Sequence, residues 1–221
     1  MTVLEAGAPA GNLYGPPGDY IDTLPDLERR WGLPDNSEFV CLPPHFQYQP
    51  TNPGPHGPPV TTRGFGATTI GSEHELGYTA HWQWTAEALT TLPSGDRTFD
   101  SRGAGEAVRG IVSYGNGPSG VSRTAGYISE TEPRAAGGQR YRRCNPDLVV
   151  TWQSSGWLQF YAQVDAQSQV ADQRGWSPDA DGGVQHLINC DFEVDLEAGA
   201  RTQGDLGGFS NDTGVGLELL L

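Results

Sequence analysis

From Val60 onward the chain falls into short runs in which apolar and polar residues alternate, with glycine-rich breaks between them. A period of 2 is the mark of a strand with one covered face. Such runs predict strands over Thr79 to Trp84 and Val108 to Tyr114. Leu148, Val150 and Trp152 share one side of another run, and a fourth sets Leu158, Phe160, Ala162 and Val164 against Trp157, Gln159, Tyr161 and Gln163. Ser154, Ser155 and Gly156 between the last two predict a hairpin. The longest alternation covers Gln185 to Leu196. His186, Ile188, Cys190, Phe192, Val194 and Leu196 take one face, and Asn189, Asp191, Glu193 and Asp195 the other, with Leu187 the apolar exception. It predicts one half-buried strand with an acidic outer face. Val215 to Leu221 predicts a last strand through Leu217, Leu219 and Leu221. Helix is confined to two turns over Thr85 to Leu92. Short strands parted by glycine-rich turns predict an all-β fold, an antiparallel β-sandwich of jelly-roll type.

The start of the chain reads differently. Twelve of the 17 prolines lie in the first 60 residues, which argues against regular sheet or long helix there. Leu13, Tyr20, Leu27, Trp31, Phe39 and Phe46 are spread through the same segment and call for burial. Residues 1–59 are therefore expected to form an extended proline-rich arm, with one helical turn at Leu24 to Trp31 and a linker over Gln49 to Pro59. Residues 60–221 are expected to form the β-sandwich domain.

Charge changes the picture. The formal net charge is -14, and all 13 basic residues are arginine, although a chain of 221 residues would ordinarily carry roughly a dozen lysines. A GC-rich genome accounts for missing lysine codons but not for the acidity. Concentrated salt accounts for both, because the Debye length falls to about 3 Å at 1 M and a dense carboxylate shell becomes tolerable. The same balance excludes nucleic acid as a partner, which requires clustered cations. The basic cluster of Arg140, Arg142 and Arg143 around Tyr141 reads as a solvated turn or a subunit contact. No run of 18 apolar residues occurs, and Met1 to Gly7 lacks the pattern of a secretion signal, so a soluble chain without direct membrane insertion is expected.

Candidate chemistry is thin. Gly115 to Gly120 matches G-x-G-x-x-G, but no helical pattern follows it, so it reads as a loop. Asp179, Asp181 and Gly182 resemble the start of a calcium loop and are weak metal candidates, better read as an acidic turn. His186 with Cys190, and Cys41 with His45, are spaced four apart, which on a strand is about 13 Å and too far for one metal. No catalytic signature and no cofactor motif is found, so a non-enzyme without cofactors is expected. Cys41, Cys144 and Cys190 are an odd set. They fit three reduced thiols or one interchain disulfide. Trp82, Trp84, Trp152 and Trp157 suggest a sugar-stacking face or core and interface aromatics.

The proline-rich arm, β-rich body, acidity and absence of lysine together resemble virion structural proteins of haloarchaeal viruses, most of all vertical single jelly-roll major capsid proteins. That resemblance implies a capsid subunit assembled in the host cytoplasm with copies of itself and other coat proteins. Two alternatives share the features: a turret or tail protein of a tailed haloarchaeal virus, and a carbohydrate-binding β-sandwich module of a halophile.

Overall fold

The computed structural model describes residues 2–10, 22–24, 26–51, 60–132, 134, 137–170, 173–203 and 211–220. In chain order the strands are β1 (Thr2–Ala10), β2 (Asp22–Leu24), β3 (Asp26–Leu33), β4 (Ser37–Leu42) and β5 (Phe46–Thr51). Then come β6 (Val60–Phe65), β7 (Thr68–Tyr78), β8 (Trp82–Leu92), β9 (Gly105–Asn116) and β10 (Ser119–Thr131). The last five are β11 (Arg140–Ser155), β12 (Leu158–Val170), β13 (Gln173–Asn189), β14 (Phe192–Arg201) and β15 (Asn211–Leu220). Among the described residues twelve of these close into a barrel in the order β1-β15-β14-β13-β12-β11-β10-β9-β8-β7-β4-β3, and β2, β5 and β6 form a separate three-stranded sheet.

The fold is all-β and antiparallel, as the period-2 runs require, but it is a closed barrel and not a β-sandwich or jelly roll. Closure depends on β1, which pairs with β15 on one side and β3 on the other. Before residue 59, β1, β3 and β4 are hydrogen-bonded barrel staves in place of an extended arm. The expected boundary at residue 59 falls within the connection between β4 and β7. The helical turn at Leu24 to Trp31 is replaced by β2 and β3, and the helix over Thr85 to Leu92 by β8. The linker starts as β5 up to Thr51, and 52–59 lie outside the described residues. Thr79 to Ala80 are turn, and the strand begins at Trp82. The hairpin at Ser154 to Gly156 forms, with its turn at Gly156 and Trp157.

The two ends of the barrel are unlike. At one end the connections are short: 34–36, 79–81, 117–118, 156–157 and 190–191. In the first of these Asp35 and Asn36 take φ of 62° and 55°, the left-handed conformation that Asp and Asn tolerate best and that a tight hairpin needs. The G-x-G-x-x-G loop is the two-residue turn between β9 and β10. At the other end lie the long connections, including 43–67, which carries β5 and β6, and 93–104. Asp96 joins these two: its Oδ2 accepts from the Phe65 amide at 2.7 Å, and its own amide donates to the Phe65 carbonyl at 2.9 Å. Gly103 N donates to Thr131 Oγ1 at 2.9 Å and ties the 93–104 connection to the rim of β10.

A water-soluble domain of this length hides a large apolar core. Here, among the described residues, Val40 and Ile128 are the only buried hydrophobic side chains. The apolar residues of the alternating runs are instead on the outside. Val108 and Val112 on β9, Tyr127 on β10, Leu148 and Val150 on β11, Phe160 and Val164 on β12, and Leu217 on β15 are all exposed. Their polar sequence neighbours point inward. The predicted strand over 185–196 shows the inversion most clearly. It is a hairpin, with Cys190 and Asp191 in the turn and Glu193 and Asp195 on the inner wall. A register shift between Leu187 and Asn189 keeps even-numbered positions on the outer face on both sides of that turn.

Candidate functional site

Among the described side chains, the polar faces of the barrel strands form the inner wall. Its described arginines are each ion-paired. Arg30 on β3 reaches Glu73 at 3.0 Å and Glu38 at 3.4 Å and also bonds Glu28. Arg109 on β9 donates to Glu87 on β8 at 3.1 Å, Arg143 on β11 meets Glu130 on β10 at 3.3 Å, and Arg201 on β14 lies 3.5 Å from Asp179 on β13. Carboxylates outnumber these cations on the same wall. Asp147, Glu193, Asp195, Glu197 and Glu218 also face inward.

Several inner side chains lie along the wall, which keeps them out of the middle of the barrel. Tyr161 on β12, Gly183 on β13 and Glu197 on β14 are directly in register. A Cβ on Gly183 would meet the Tyr161 ring at 2.6 Å, so the phenol crosses β13 only because that residue is glycine. Gly216 on β15 does the same for Asp195, whose carboxylate would be 1.7 Å from an added Cβ. At the end with short turns the interior opens as a cleft of about 560 Å³ between β7 and β11, lined from within by Glu75, Gln83, Ser113, Ser122 and Thr151.

The outer wall carries aromatic residues near the short-turn end. Trp31 and Phe39 pair at 5.5 Å, Trp82 stacks on Trp84 at 6.4 Å and packs against Tyr114 at 4.8 Å, and Trp152 stacks on Phe160 at 5.8 Å. Tyr127 and Trp176 flank an apolar groove nearer the other end, floored by Gly110, Ala125, Cys144 and Pro146. Arg29 and Arg123 are exposed exceptions on this face. Such long side chains can carry their charge toward a polar boundary.

The expected site residues are dispersed. Asp179 and Asp181 are not in a calcium-type turn but on β13, facing inward, in register with Arg201 and Gly199 respectively. Cys41 is half-buried on β4, Cys144 exposed on the outer face of β11, and Cys190 exposed in a hairpin turn, all three as free thiols. Among the described residues no group of three His, Cys, Asp or Glu side chains has the geometry to hold a metal ion. Trp82 and Trp84 share the outer face of β8, Trp152 lies on β11 with β9 and β10 between, and Trp157 sits in the turn after β11, so the four do not share one strand. The basic cluster is split by strand alternation: Arg143 turns inward, Arg142 is exposed, and Arg140 bonds Ser129 Oγ and the Ala104 carbonyl, each at 2.8 Å. Sequence reasoning passed over Ser37 and His74, whose Oγ and Nδ1 are 2.8 Å apart on the outer side of the wall. It also passed over the inner-wall ion pairs, because their members come from strands far apart in sequence.

No family model and no curated protein matches the chain. Solved structures do. A NanC porin structure superposes with a TM-score of 0.65 at 13% identity over 100% of both chains. The CymD monoaromatic hydrocarbon channel gives 0.51 at 10% identity over 100% of this chain and 88% of its own. These likenesses overturn the resemblance to virion coat proteins, and with it the virion location, the coat-protein partners, the carbohydrate-binding alternative and the expectation of no membrane insertion. Acid-rich composition does not specify which face the carboxylates take, and in the barrel strands Glu73, Glu87, Asp147, Glu193 and Asp195 turn inward and not toward brine. In fold, the chain is an antiparallel β-barrel of the kind seen in outer-membrane porins and channels.

Proposed function

We propose that the chain is a membrane-spanning β-barrel that provides a polar passage for small hydrophilic solutes, and that it performs no catalysis. The observation that carries this reading is the inverted polarity of the wall, apolar outward and charged inward. A hydrocarbon surround rewards an apolar exterior and tolerates no unpaired backbone, so a barrel closed by β1 and β15 meets its demand for paired amides without a free edge. Barrel strands such as β7 to β12, of 11 to 16 residues, meet or exceed the roughly 9–11 residues a tilted strand needs to cross the hydrocarbon layer. An aromatic girdle, short turns at one end and long connections at the other are further features of such barrels. That the NanC and CymD structures are named a porin and a channel supports a passage for this chain as well.

Reconstitution tests it. The folded chain is expected to enter lipid vesicles, to resist carbonate extraction and to produce discrete conductance steps in a planar bilayer. A monodisperse protein in detergent-free buffer that leaves bilayers unchanged would refute it.

A further inference from the structure

We infer that the passage prefers small hydrated cations, an inference that rests on the barrel being an open passage. Three rows of carboxylates cross the inner wall in direct register. In the first, Glu38, Glu73 and Glu87 stand side by side on β4, β7 and β8 and end at Arg109 on β9. In the second, Asp147, Asp165 and Asp179 stand on β11, β12 and β13 and end at Arg201 on β14. In the third, Glu193 and Glu218 stand opposite each other on β14 and β15, and the same backbone register runs on through position 5 of β1 to Glu28 on β3. Directly opposed residues have Cβ atoms about 5 Å apart, and like charges in that position destabilise a sheet.

Three such rows in one barrel carry a repulsive cost that mobile counter-cations in the lumen would offset. The arginines do not reverse the sign, because each described one is held by a wall carboxylate. What remains is net negative along the wall, and a low-dielectric surround focuses that field into the lumen. Glycines such as Gly183 and Gly216 let Tyr161 and Asp195 lie flat and leave room beside the charges. Among the described residues no three of these groups converge on a chelating geometry. Cations would therefore be drawn in without being locked at one point, which conduction requires.

The experiment is a reversal-potential measurement on the full-length chain in a planar bilayer under a KCl gradient. The expected result is a potassium permeability several-fold above that of chloride. A variant carrying Asp147→Asn, Asp165→Asn and Asp179→Asn should move the ratio toward one, and Glu193→Gln with Glu218→Gln should do so by an independent row, both with unchanged strand content by circular dichroism. Conductance with no ion preference or with anion preference overturns the inference and leaves the passage standing. Folded protein in the bilayer with no conductance overturns both.

Discussion

Tyr161 Oη donates to Glu197 Oε2 at 3.0 Å across the whole width of β13, passing over Gly183. The bond links β12 to β14, second neighbours in the sheet, and so braces the wall beyond what the backbone ladder supplies. It depends on the residue between them having no side chain.

Substituting that residue tests the brace. An added Cβ at 183 would lie 2.4 Å from the Leu196 carbonyl and 2.6 Å from the Tyr161 hydroxyl, and the former cannot swing away as a side-chain tip can. Gly183→Ala is expected to lower the thermal midpoint by an amount corresponding to roughly 1–3 kcal/mol. Tyr161→Phe, which keeps the ring and removes the donor, should cost about 1 kcal/mol. Unfolding followed by the heat-dependent gel shift of the barrel would read both.

Arg109 and Glu87 give a second test, because Glu87 is only 6% exposed and Arg109 is the cation hydrogen-bonded to it. Arg109→Ala leaves a covered carboxylate without its partner and is expected to cost roughly 1.5–3 kcal/mol. Glu87→Gln retains an acceptor for Arg109 and should cost less. The order of the two variants in a urea titration is the readout, and a costlier Glu87→Gln would contradict the assignment of Arg109 as the group that compensates Glu87.

The outer face supplies the sharpest contrast between lipid and water. Val150 is 47% exposed on β11, flanked in register by Val121 and Ala162. On a soluble protein, Val150→Arg at such a site would shift stability by less than about 0.5 kcal/mol. In a bilayer, at a position between the Trp152 boundary and the midplane, it is expected to cost roughly 1–3 kcal/mol. Folding titrations into phospholipid vesicles would separate the two outcomes.

Tryptophan position is directly measurable. Trp82, Trp84 and Trp152 are on the outer wall near the short-turn end, where a headgroup boundary would lie. Single-tryptophan variants in vesicles of lipids brominated at different chain depths should be quenched most strongly by the shallowest bromines. Trp176 should report the opposite boundary. Strong quenching by aqueous acrylamide at all four would count against a lipid-facing wall.

Much of the strand pattern was legible in the sequence. The alternations through Leu148 to Trp152 and Leu158 to Val164, the hairpin between them and the terminal strand through Leu217 and Leu219 all stand in the structure. The strands before residue 60 were hidden by their prolines. Pro34 and Pro43 fall in connections, however, and the barrel strand β3 contains no proline. The apparent single strand over 185–196 concealed a turn because the register shift beside Leu187 kept the alternation in phase across it.

The period of 2 determined that this chain forms strands whose two faces differ in polarity, one rich in Leu, Val and Trp, the other in Asp and Glu. Which face would be inside was decided only by the tertiary structure. Alternation is symmetric under exchange of the two faces, and a sheet closed on itself between β1 and β15 can turn either one toward its lumen. The pairing that closes it joins residues at opposite ends of the chain, and the carboxylate rows it assembles come from strands that no local spacing connects.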